Sequence, residues 1–264
     1  MSTITGMDIP TAIPAGITIT VPLMSDAVSL PALYRLLTFL SPAFPIGAFT
    51  YSHGLEQVID RGGVTDAGDL QAWLEDILRF GAGRSDAILM KETFQAARRG
   101  DGETVQELRE LALALQPSKE RHLESSAQGT AFLQAVTRSW MPASDTPASG
   151  LLAGVAATDA GDNREPWPYP VVLGLVCAAH DLPEAAALTS FLHAFTANLI
   201  SVAVRVVPLG QSDGQKVLAA LEPVIAGVAE EVAACGLDDL GTSTFLADIA
   251  SMAHETQYSR LFRS

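Results

Sequence analysis

His254-Glu255 opens the pattern of a zinc-peptidase helix, in which histidines four residues apart ligate the metal and the glutamate activates water. The second histidine belongs at position 258, which is Tyr258, so that chemistry is not encoded. His53 and Glu56 have a spacing that one helical turn could turn into an acid–base pair, and that spacing is common by chance. The five histidines (His53, His122, His180, His193, His254) are never close in sequence, and Cys177 and Cys235 lie far apart without metal-ligand spacing. Gly81-Ala82-Gly83 lacks the Lys-Ser/Thr that follows a phosphate-cradling loop. On these grounds no catalytic residue, metal ligand or cofactor-binding residue is assigned. A triad or metal site assembled from distant residues is invisible to such a test.

Two segments carry more than packing demands. In Ser41-Pro-Ala-Phe-Pro-Ile-Gly-Ala-Phe-Thr-Tyr-Ser-His-Gly-Leu-Glu56, two prolines restrict the backbone while Phe44, Ile46, Phe49 and Tyr51 crowd an interhelical connection. Either it is a rigid turn plugging its own core, or it is a preorganised partner surface. The C-terminus, His254 to Ser264, ends basic and aromatic on an acidic chain. Tyr258, Leu261 and Phe262 with Arg260 and Arg263 have the composition of an interface hot spot, although chain ends are often frayed.

The elements that must position these segments read as helices throughout. Leu33, Leu36, Leu37 and Leu40 share a face after Pro31, and the helix from Leu30 should stop at Ser41-Pro42. A second helix is expected from about Thr50 to Asp60. A third, opening near Thr65 or Asp66, carries Leu70, Trp73, Leu74, Ile77 and Leu78, with Gly62 and Gly63 between the two. Helices follow at about 83–99, 102–115 and 117–140. Residues 141–167 collect Pro142, Pro147, Pro166 and small residues and read as a long connection. Periodicity resumes near Pro168, and Leu188, Phe191, Leu192, Phe195, Leu199, Val202 and Val206 recur at spacings of three and four after Pro183. Ser212-Asp-Gly-Gln215 has the spacing of a capping box for a helix to about Ala234. A last helix, about Thr244 to Tyr258, should bury Phe245, Ile249 and Met252. The expected fold is all-α: a compact helical domain of nine to ten helices over 30–258, a flexible arm over 1–29 and a tail over 259–264.

Of 264 residues, 48% are hydrophobic, ample for a real core. The 30 acidic against 16 basic side chains give a net charge of -14, which disfavours nucleic acid and acidic membranes as partners. No stretch reads as a membrane span and the start lacks a signal-peptide pattern, so a reducing cytoplasm is the expected compartment.

Ser41, Pro42, Pro45, Ile46, Gly47, Phe49, Tyr51, Ser52, Gly54, Leu55 and Glu56 match the pattern Ser-Pro-x-(apolar)-Pro-Ile-Gly-Gly-Phe-Ser-Tyr-Ser-x-Gly-Leu-Glu. On them the chain resembles the urease accessory protein F (UreF) family, departing at Ala48 and Thr50, where the family has Gly and Ser. Tyr169-Pro-Val-Val-Leu-Gly174, Pro208 to Gln215, and His254-Glu255 with Gln257 to Ser264 add matches in order, covering roughly residues 30 to 264. The resemblance implies an all-α homodimer without catalytic activity or resident cofactor. It also implies a complex with the accessory protein called D or H and the GTPase called G, in which the chain bridges the two and modulates GTP-dependent insertion of nickel into apo-urease. Partner contacts are then expected at Pro42, Phe44, Pro45, Ile46, Gly47, Phe49, Tyr51, Ser52, His53 and Glu56 in the turn. In the C-terminal segment they fall on His254, Glu255, Tyr258, Arg260, Leu261, Phe262 and Arg263. Two rivals are a nickel-binding metallochaperone with ligands shared across a dimer and a helical enzyme using His53 and Glu56.

Overall fold

The computed structural model describes residues 28–159 and 165–264; the expected arm therefore lies, up to residue 27, outside the described residues. Among the described residues the fold is all helical, with no strand. In chain order the helices are α1 (Leu30–Phe39), α2 (Leu55–Asp60), α3 (Ala67–Phe80), α4 (Ala82–Arg99), α5 (Gly102–Ala114) and α6 (Lys119–Ser139). They continue with α7 (Pro147–Asp159), α8 (Tyr169–Ala179), α9 (Glu184–Val206), α10 (Gln211–Ala234) and α11 (Phe245–His254).

Local chemistry sets the ends. Ser29, Asp66, Asp101 and Ser118 each turn a side-chain oxygen onto backbone N–H groups of the first turn of α1, α3, α5 and α6. Gly100 closes α4 in the left-handed conformation. The expected capping box at Ser212 does not form: α10 begins at Gln211 after Gly210, with no side-chain cap.

The centre is α8, whose residues Pro170 to Ala179 are all buried, as expected of a helix apolar on every side. It packs against α4, α6 and α7, and two glycines permit the approach. A Cβ on Gly174 would stand 2.3 Å from the Met90 carbonyl oxygen, and one on Gly129 2.0 Å from that of Trp167. Both cysteines are free, and burial pushes the Cys177 thiol up to about 12, leaving it a packing group.

The connection expected over 141–167 contains α7. Thr146 and Ser149 exchange hydroxyl–amide hydrogen bonds of 2.8 and 3.2 Å across its start, Pro147 fits the first turn, and Ala148, Leu152 and Val155 are buried. Ser149→Ala should cost about 1 kcal/mol in urea unfolding, with early loss of amide protection confined to α7; unchanged protection there would reject the cap.

Other expectations shift face. In α1 the buried residues are Ala32, Leu36 and Phe39, while Leu33 and Leu37 face outward. In α11 the expected core residues Phe245, Ile249 and Met252 are exposed, and Ala247, Ala250, Ser251 and His254 point inward. The reason is proximity: α11 lies on Gly54, where a Cβ would be 2.7 Å from the Ser251 nitrogen, so only a small and polar face fits. The reading that no stretch could span a bilayer also needs correcting. The 23 residues of α9 meet the length and composition of a span, but half of that window is buried within the fold, as in a core helix.

Candidate functional site

The Pro-rich turn and the C-terminal tail, 200 residues apart in sequence, form one surface. A 3₁₀ turn at Ala48–Thr50 follows Gly47, and His53 and Gly54 take consecutive left-handed conformations (φ 57° and 78°) before α2. A positive φ is uncommon for a histidine, so the fold over-determines this bend. It sends Tyr51 and Ser52 inward, and Ser52 donates from both its backbone nitrogen and its hydroxyl to the Ser264 carbonyl. Arg263 N–H donates to the Thr50 carbonyl at 2.8 Å.

Glu56, 4% exposed, fastens the tail. Its carboxylate accepts the backbone N–H of Leu261 at 2.7 Å and of Phe262 at 3.0 Å, and the same group lies 3.0 Å from His254 Nε2. The other ring nitrogen of His254 is 2.6 Å from Glu120, which also accepts from Arg260 at 2.5 Å. Phe262 is buried with the Arg205 guanidinium 4.5 Å above its ring, and Arg205 also donates to the Phe49 carbonyl at 3.0 Å.

Below lies a second ionic layer. Glu124, 1% exposed, accepts from Arg121 and meets His53 at 2.6 Å each, and receives the Ser264 hydroxyl at 2.8 Å. Burial alone would raise the Glu124 carboxyl, but Arg121 and His53 overcome it and hold it at about 2. Burial and then Arg121 lower the His53 imidazole. Asp86 sits 3.7 Å from Arg121, too far for a good ion pair, and burial pushes it up to about 6. His53, Asp86 and Arg121 line two cavities, of about 210 and 110 Å³, the larger opening beside the Pro-rich turn.

The sequence-chosen residues divide accordingly. Phe44, Tyr51, Ser52, Glu56, His254 and Phe262 are buried, and they hold the surface from beneath. Ile46, Gly47, His53 and Glu255 are partly covered. Pro42, Pro45, Phe49, Tyr258, Arg260, Leu261 and Arg263 are exposed, Tyr258 completely. His53 pairs with Glu124 while Glu56 is taken up by the tail, so the two do not form an acid–base pair. Sequence reasoning missed Asp86, Glu120, Arg121 and Glu124. A signal existed on α6: Glu120, Arg121, Glu124 and Gln128 recur at helical spacing, and the large apolar residue among them, Leu123, is 54% exposed.

A family model described as UreF matches residues 64–222, more than half the chain. The chain belongs to the UreF family. The match excludes the turn and the tail, but longer alignments span most of the molecule. Urease accessory protein UreF of Rhodopseudomonas palustris strain BisA53 is 48% identical over 233 residues, 88% of this chain and 93% of that protein. Its counterpart in Bradyrhizobium sp. strain BTAi1 is 47% identical over 234 residues, 89% and 92% of the two chains. That of Bradyrhizobium diazoefficiens is 46% identical over 233 residues, 88% and 92%. As a UreF chain, this protein is a urease accessory protein. The buried charge layer underlies a surface of exposed arginine and aromatic side chains.

Proposed function

We propose that this UreF chain is a non-catalytic cytoplasmic scaffold that bridges the D/H accessory protein and the GTPase G, modulating GTP-dependent nickel insertion into apo-urease. The observation that supports this reading is the joining of turn and tail into one face. Tyr258, Leu261, Arg260 and Arg263 project from a backbone pinned by Glu56 and Glu124, which lowers the ordering cost of binding. Just before the tail in the chain, α11 turns Phe245, Leu246, Ile249 and Met252 to solvent, an apolar stripe at helical spacing. We assign the tail and this stripe to the D/H protein.

The test is co-purification with the D/H and G proteins, sized by light scattering with and without GTP and nickel, followed by activation of apo-urease. A stable assembly that activates urease is expected. Failure to associate under every condition would overturn the scaffold reading. Equilibrium dialysis with nickel addresses the metallochaperone rival, which demands a tight stoichiometric site where the scaffold requires none.

A further inference from the structure

We draw no further inference here: the strongest candidate, the pair of cavities meeting at His53, Asp86 and Arg121 between the Pro-rich turn and α11, belongs to the turn–tail site already described, and its unpartnered His53 Nδ1 and Ser125 Oγ are closed off from the open space.

Discussion

Glu56→Ala should free the C-terminal tail and weaken binding of the D/H accessory protein by 100-fold or more. The carboxylate accepts two tail amides and meets His254, and it is almost wholly buried. Hydrogen bonds to a charged acceptor contribute about 1.5–3 kcal/mol each, and removing one partner of a buried ionic group costs about 3–5 kcal/mol. Part of that cost falls on global stability, because the Leu261 and Phe262 amides lose their acceptor and His254 keeps only its contact with Glu120. The rest appears in binding, since a freed tail must be ordered again at the interface; 100-fold corresponds to about 2.7 kcal/mol. Hydrogen exchange at Leu261 to Ser264 and calorimetric titration with the D/H protein read the two effects, with far-ultraviolet circular dichroism as the control for folding. A folded variant that bound more tightly would mean that the docked tail competes with its partner, reversing the assignment. Unchanged affinity with a mobile tail would place the interface elsewhere.

Much of the fold was legible in sequence because its long helices carry unambiguous stripes. On α10, Val217, Leu221, Val224, Ile225, Val228 and Val232 recur at spacings of three and four and are buried. What escaped obeyed a different logic. The inward residues of α7 are few and its sequence includes Gly150 and Gly154, so composition favoured a loop although Thr146-Pro147 signalled a helix start. On α11 the large apolar residues lie outside, and the inner face is selected by the close approach of Gly54, a tertiary constraint with no local signature. The site shows the same split. Turn and tail were recognisable as unusual segments, whereas their union depends on Glu56 accepting amides 205 and 206 positions away. The lower layer was hidden because burial of Glu120, Arg121 and Glu124 inverts the usual pattern of charges outside.

That lower layer yields paired substitutions of opposite sign. Glu124 is held at about 2 against 4.5 in the unfolded chain, so its ionised form stabilises the fold. The contribution is fully present above pH 4.5 and is lost as pH falls toward 2. Asp86 behaves inversely: at about 6 against an ordinary 3.8, the folded state retains a proton that the unfolded chain has released. Between these values stability falls as pH rises, and above pH 6 the whole penalty is in force. Each shift of roughly two units corresponds to about 3 kcal/mol. Glu124→Gln should therefore cost about 3 kcal/mol at pH 7, while Asp86→Asn should gain about 2–3 kcal/mol. Urea unfolding at pH 7 and pH 4 separates them, because the Asp86→Asn gain should nearly vanish at the lower pH while most of the Glu124→Gln loss persists. A gain from Asp86→Asn that did not depend on pH would show that its ionisation is not what destabilises the wild type. The opposition explains why a poorly paired acid beside Arg121 is tolerated beneath the turn–tail surface. Arg121 satisfies Glu124 first, Glu124 fixes His53 and Ser264, and the turn and tail are aligned at the expense of Asp86.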